Sequence, residues 1–537
     1  MEKIKNNLNK IILAIIIILQ IILYIGIGLK KEYFHMDEAY SYGLMNYDKI
    51  NITDNEDFLN NWHNKDYFID YLSVNSDEIS DFLSVYINQK NDVHPPLFYL
   101  LLRIFSLSTI DGFSKWTGLS LNILIGIGIS IYVYKISKKL FSSEKLALLV
   151  TAINAFSMAM MENMMYIRMY ALLTFTILLY TDIFLKLYKK ESIRKKDLVL
   201  LGVSLIIGGL TQYYFFIYVM GTFLVLIYKS IKTKEYTYLK KYIITAITSA
   251  IIYLLVFPFS INHVFFGYRG PGAITQGMNI KDILTGIVTY INIIDKNIFN
   301  YLIIPFIILV IVIAFMKKSI NKQKGITIEN EELKNKEKDK DNRIGIFIII
   351  PMFMYLLIVS IITPYKELRY ILPVCPIIVI TTCYLSYLLL KKYYTKKAIL
   401  IILGVLFLII ESTTSLVNNK LDFTFEKHNH IADRIKEKNA PILYVFNTGN
   451  NRFLDDIYLC TLSPETYILD VNSLSEEKLK EVLKDKNLEN GLIVICNEGF
   501  DKQEVIDDLK NISGQDMEHI QRMNACDIFY LDKFLVN

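Results

Sequence analysis

The feature that most constrains this chain is a set of apolar runs nearly free of charge: Ile11–Leu29, Leu121–Tyr134, Leu302–Met316 and Ile344–Ile362. About 20 such residues carry one helix across a hydrocarbon core. Backbone in lipid must satisfy its own hydrogen bonds, so segments of this kind cross as helices. A soluble chain of 537 residues would instead divide into domains with polar surfaces. The first run follows Lys3, Lys5 and Lys10 and has no small-residue cleavage site before Lys30, so it reads as a retained anchor.

Charge orients the spans. Cation-rich segments lie at 135–145, 186–196, 229–241, 317–343 and 391–397. The positive-inside rule places them, and the N-terminus, in the cytoplasm. The alternating segments are then expected outside: 30–96, 162–168, the neighbourhood of Gln212, 261–297, 364–369 and everything after Glu411. His94–Ser108 is apolar but too short to span, and is expected to lie along the outer interface. Leu198–Tyr228 is too long for one crossing and has basic residues at both ends, so it must cross twice, turning near Gly208–Gln212. The expected fold class is an all-α polytopic membrane protein of about 11 transmembrane helices. The loop 317–343 is strongly charged and expected to be disordered.

Beyond Glu411 the apolar runs shorten to strand length, at 441–447, 466–471, 491–497 and 527–532. Polar helical stretches, Ser475–Asp485 and Lys502–Asn511, lie between them. The expected division is a membrane domain, 1–412, and a small extracytoplasmic α/β domain, 413–537.

The chemistry is sought on the outer face. Asp37 and Glu38 stand just beyond the first span, in FHMDEAYSYGL. A carboxylate there can take a proton from an acceptor hydroxyl and steady an oxocarbenium-like transition state; the plainer reading is two solvated acids. His94 precedes Pro95–Pro96 and a helix start, which suits a phosphate. Arg168, Arg269, Lys366 and Arg369 are cations on the face that is poor in them. Such cations need partners. A lipid phosphate is one candidate, and local acids such as Glu162 for Arg168 or Glu367 for Arg369 are the other. Asp37, Asp92 and His94 also form a possible divalent-metal set. The five cysteines show no CxxC pair or metal spacing. GYRGPGAI (267–274) follows no strand, and no P-loop or dinucleotide fingerprint occurs, which argues against a nucleotide-sugar donor. The aromatics of QYYFFIY (212–218) read as lipid-facing or interfacial.

Taken in order, the first span, DEA, HPPLFYLLL, RMYAL, TQYYFF and LRYILPVCP resemble bacterial GT-C glycosyltransferases of the protein O-mannosyltransferase and aminoarabinose transferase group, family 39, over roughly residues 10–400. The resemblance implies an inverting enzyme using a polyprenyl-phosphate sugar, with Asp37 as catalytic base and Glu38 beside it. It puts His94 near that acid, Arg168 in the second exterior loop, and Arg369 and Tyr370 in the late RY segment. Relatives often read QEARMY where this chain has MYIRMY, so the acid before the arginine is missing.

The reading is therefore a glycosyltransferase of the cell membrane. Its partners are a polyprenyl-phosphate-linked sugar, a cell-envelope acceptor (glycan, protein or lipid) and the bilayer, with no nucleic acid. Its donor-phosphate residues are His94, Arg168, Arg269, Lys366, Arg369 and Tyr370. The rivals are a transporter or lipid flippase, and a non-catalytic partner binding wall polymer. Polar residues clustered at one face, without repeated halves, favour the enzyme. Reporter fusions check the orientation: a periplasm-dependent phosphatase joined after Asn418 is expected to be active, and one joined after Lys234 inactive.

Overall fold

The computed structural model of the chain describes residues 2–46, 51–141, 143–190, 192–267, 280–302, 344–391, 421–424, 429–449, 452–484, 486–523 and 526–532, with a few isolated positions between 304 and 406. Arg269, the charged loop 317–343 and most of the expected spans 302–316 and 398–410 lie outside the described residues. The first twelve helices are α1 (Glu2–Leu29), α2 (Met36–Asn46), α3 (Lys65–Leu72), α4 (Phe82–Asn91), α5 (Leu97–Ser106), α6 (Lys115–Phe141), α7 (Glu144–Ala155), α8 (Met158–Met165), α9 (Tyr170–Tyr188), α10 (Lys195–Thr211), α11 (Tyr214–Thr233) and α12 (Thr237–Val256). They are followed by α13 (Ser260–Phe265), α14 (Ile280–Phe299), α15 (Ile346–Ile362) and α16 (Cys375–Lys391).

Among the described residues five helices are long and apolar enough to cross a membrane: most of α1, then α6, α9, α11 and α12. α7 and α8, bent by 54° at their junction, make a sixth candidate. The chain is a multi-pass membrane protein. The long apolar stretch 198–228 breaks at Gln212–Tyr213, where the Gln212 carboxamide accepts the Tyr214 N–H at 2.7 Å and so starts α11. α5 begins directly after Pro95–Pro96, has only 10 residues, and buries Phe98, Tyr99 and Leu102. Phe215 and Tyr218 are buried rather than lipid-facing, because α11 lays that face against α9 and α15; Phe216 remains exposed.

One close approach positions the region described next. Gly118 on α6 has no room for a Cβ, which would collide with Ile167 and the Tyr42 hydroxyl. The missing side chain lets the turn between α8 and α9 reach α2, as small residues do at helix crossings. Asn122, one turn along α6, holds that turn by donating to the carbonyls of Met164 (3.1 Å) and Tyr166 (2.9 Å).

The C-terminal part is an α/β layer. α17 (Asn429–Lys438), α18 (Ile457–Cys460), α19 (Glu476–Leu483) and α20 (Lys502–Ser513) accompany strands β1 (Asn61–Asn64), β2 (Ile442–Phe446), β3 (Glu465–Asp470), β4 (Leu492–Asn497), β5 (Glu518–Arg522) and β6 (Cys526–Leu531). The order is β1-β3-β2-β4-β6-β5, with β3, β2 and β4 parallel and the outer pairings antiparallel. Period-two alternation sorts the side chains. Leu443, Val445, Val494 and Leu531 pack beneath α19 and α20. Ile442, Tyr444, Phe446, Ile495 and Ile528 join the core that is continuous with the helical bundle. β1 comes from the segment after α2, so residues 30–96 supply an edge of a sheet otherwise built after residue 440. Gly118→Val is expected to lower stability by about 1–3 kcal/mol through overpacking, read as a lower melting temperature in detergent.

Candidate active site

Asp37 and Glu38 occupy the first turn of α2, where free N–H groups favour acidic side chains. Local bonds close the turn. The Asp37 N–H donates to His35 Nδ1 (3.0 Å), and the His35 N–H donates to Glu38 Oε2 (2.9 Å). The Met36 N–H donates to Asp455 Oδ1 at 2.8 Å, across 419 residues of sequence.

The two acids have different fates. Glu38 is fully buried: Oε2 pairs with Lys31 Nζ at 3.0 Å, and Oε1 accepts the Ile167 N–H at 2.9 Å. Breaking such a buried pair costs about 3–5 kcal/mol, so Glu38 ties α2 to the 166–168 turn. Asp37 keeps 25% of its side chain exposed. Its Oδ2 accepts the Tyr166 hydroxyl at 2.8 Å and pairs with Arg369 Nη1. Arg369 also donates to the Tyr166 hydroxyl (3.2 Å) and holds Glu367 2.8 Å from its Nε. Arg168 is buried and donates to the Asp37 carbonyl (3.1 Å) and to Ser41 Oγ (3.0 Å). Burial opposes the Asp37 charge, but the guanidiniums of Arg168 and Arg369, with His35 and the Tyr166 hydroxyl, outweigh it and hold the carboxyl well below the usual range.

His94 and Asp92 form a dyad beside this group, Nδ1 to Oδ2 2.6 Å. Burial would raise Asp92, but His94 and then Arg168 pull its carboxyl down. Tyrosines make the walls. Tyr370 meets Tyr170 and Tyr214 at 6.3 and 6.1 Å between ring centroids. Phe423 stacks on Tyr166 at 4.0 Å. Its backbone is pinned from three directions. Glu162 accepts the N–H groups of Asp422 (2.6 Å) and Phe423 (2.9 Å), and Lys31 donates to the Phe423 carbonyl (2.6 Å).

Two families match parts of the chain: that described as "Dolichyl-phosphate-mannose-protein mannosyltransferase" over residues 93–261, and the "Alg9-like mannosyltransferase family" over residues 291–447. Among solved structures, ArnT from Cupriavidus metallidurans bound to undecaprenyl phosphate aligns with a TM-score of 0.52 at 9% identity, covering 96% of this chain and 97% of that one. Apo ArnT from the same organism aligns with a TM-score of 0.45 at 10% identity and similar coverage. No curated protein matches. Two stretches of the chain thus match glycosyltransferase families of the GT-C type, and its fold is shared with ArnT.

The structure brings together Asp37, Arg168, Arg369 and Tyr370, with His94 joined through Asp92. It departs from the sequence reading in three places. Glu38 is not a second open acid, because both its oxygens are consumed. Lys366 does not join the group: it bonds the Thr363 carbonyl and lies along Gly286 of α14. Glu162 does not pair with Arg168 or stand in for the missing acid, since it holds residues 422–423. Among the described residues no three His, Cys, Asp or Glu side chains converge as a metal site. Tyr166 and His35 went unselected by sequence reasoning. The only available signal was adjacency, Tyr166 standing two residues before Arg168 and His35 two before Asp37.

Asp456 anchors the stretch before α2, accepting the hydroxyls of Tyr33 and Tyr444 at 2.9 Å each. Burial, then the neighbouring Asp455, push its carboxyl up to about 7. The folded state therefore retains a proton that the unfolded chain has lost, and stability present at pH 4 falls as pH rises through about 7. Melting temperatures between pH 4.5 and 7.5 are expected to fall with rising pH more in the wild type than in Asp456→Asn.

Proposed function

We propose that this glycosyltransferase moves a sugar from a polyprenyl-phosphate carrier to an acceptor hydroxyl at the outer face of the membrane, with inversion. The observation that carries the proposal is one partly open carboxylate, Asp37, paired with the Arg369 guanidinium, with the buried Arg168 guanidinium bonded to its main-chain carbonyl. Asp37 takes the proton of the acceptor hydroxyl as that oxygen attacks the anomeric carbon. The bond from that carbon to the phosphate oxygen breaks, and the phosphate leaves with the electron pair. Arg369 and Arg168 neutralise it, with the His94–Asp92 dyad and Tyr370 beside them. Arg269 remains a candidate from the sequence alone.

The electrostatics suit a base that works only with donor present. Against the opposing effect of burial, Arg168 and then Arg369 hold Asp37 too acidic to accept a proton readily in the free site. A bound phosphate shares Arg369, weakens that hold and raises the basicity of Asp37. The resemblance to family 39 enzymes supports a direct displacement, in which Asp37 acts as base and no separate nucleophile is needed. Undecaprenyl phosphate, the lipid in the ArnT structure, has the headgroup chemistry proposed here. The outward orientation is supported by the charge pattern of the loops, which sets the C-terminal domain and Asp37 on the side opposite the lysine-rich segments.

The test uses full-length protein in lipid nanodiscs, with polyprenyl-phosphate sugars extracted from the source cells and radiolabelled. Wild type is expected to transfer label and release polyprenyl phosphate. Asp37→Asn is expected to lose about 10²–10⁴-fold in rate with its melting temperature kept. Full activity in that variant would remove Asp37 as the base.

A further inference from the structure

The six residues between Leu29, the end of α1, and Met36, the start of α2, have no regular structure to fix them. Yet their geometry decides where Asp37 stands relative to Arg369. The first N–H groups of a helix have no partner within it. The Met36 N–H, first of these in α2, is taken by Asp455 Oδ1 at 2.8 Å. Asp455 is 1% exposed, and its other oxygen is clamped by Arg452, 3.1 Å from Nε and 2.9 Å from Nη2. Its carboxylate therefore cannot swing away from α2. The next residue, Asp456, binds the Tyr33 hydroxyl three positions before Met36. Two adjacent carboxylates of the sheet domain thus grip the linker at both sides of its turn into α2. The grip is itself anchored, because β1, from the segment after α2, pairs with β3 of the same sheet.

We propose that Asp455 is a positioning residue for the transfer reaction, so that the sheet domain sets the place of the base. The proposal rests on the reading of Asp37 as the base. Asp455 touches no reacting atom in this scheme. It acts through α2, and a displacement of about 1 Å at a reacting group can cost roughly 10²-fold.

The experiment measures kcat and KM per folded molecule in nanodiscs, with the same extracted donors, and separately the binding of undecaprenyl phosphate. Asp455→Ala is expected to lower kcat by about 10–100-fold, with undecaprenyl phosphate affinity and donor KM kept or improved, because Arg168 and Arg369 are intact and a displaced Asp37 competes less for Arg369. A merely structural role would lower the folded yield and leave kcat per folded molecule unchanged, and that result would overturn the proposal. Met36→Pro provides an independent arm. Proline is tolerated at the first helical position and removes the donated N–H, together with the Met36 side chain. It is expected to lower kcat similarly, and adding Asp455→Ala to it should cost little more. Additive losses would show that Asp455 acts by another route. If Asp455→Ala does not accumulate, Met36→Pro decides alone, and wild-type kcat in it overturns the proposal. Asp37→Asn separates the two levels. If it is active, the base assignment fails. If it is inactive while Asp455→Ala is fully active, only the positioning role fails.

Discussion

The structure turns on the contact between Asp37 and Arg369. A carboxylate and a guanidinium from opposite ends of the membrane domain meet at one partly open point, with Tyr166 bonded to both. An arginine at the edge of an apolar bundle needs a counter-charge. In the free protein Asp37 supplies it. The same contact makes the pocket receptive to an anion, since a phosphate competes with Asp37 for Arg369. In the proposed reaction, binding of the donor and activation of Asp37 as base are one electrostatic event.

Much of the remaining architecture maintains that contact. Gly118 and Asn122 on α6 let the 166–168 turn close on α2 and hold it there. Glu38 and Lys31 lock the same turn from below. Glu162 and Lys31 fasten Phe423 against Tyr166. Asp455 fastens the start of α2 to the sheet. These ties come from four distant parts of the sequence. Glu38, Glu162 and Asp455 are closed to solvent and serve to place Asp37, while the half-exposed Glu367 pairs with Arg369 from the other side of its guanidinium group.

The sequence revealed what depends on local pattern. Charge-free length marked the spans, and the basic flanks of 198–228 forced the turn that Gln212 makes. Short β-branched runs marked β2, β3, β4 and β6. It hid what depends on tertiary pairing. β1 (NWHN) and β5 (EHIQR) are polar edge strands with little strand propensity of their own, made by their neighbours β3 and β6. Asp37 and Glu38 are adjacent in the chain and chemically alike, and only the fold separates an open acid from a buried tie. Lys366 and Arg369 sit three residues apart, yet one faces α14 and the other Asp37. Arg168 and Arg369 were legible because a cation on the outward side is costly unless something answers it.

The most direct test is the equilibrium affinity for undecaprenyl phosphate, without sugar, in wild type, Asp37→Asn and Arg369→Ala. If phosphate and Asp37 compete for Arg369, Asp37→Asn binds the lipid more tightly than wild type and Arg369→Ala binds it more weakly. Equal affinity in all three, or weaker binding in Asp37→Asn, would contradict the account.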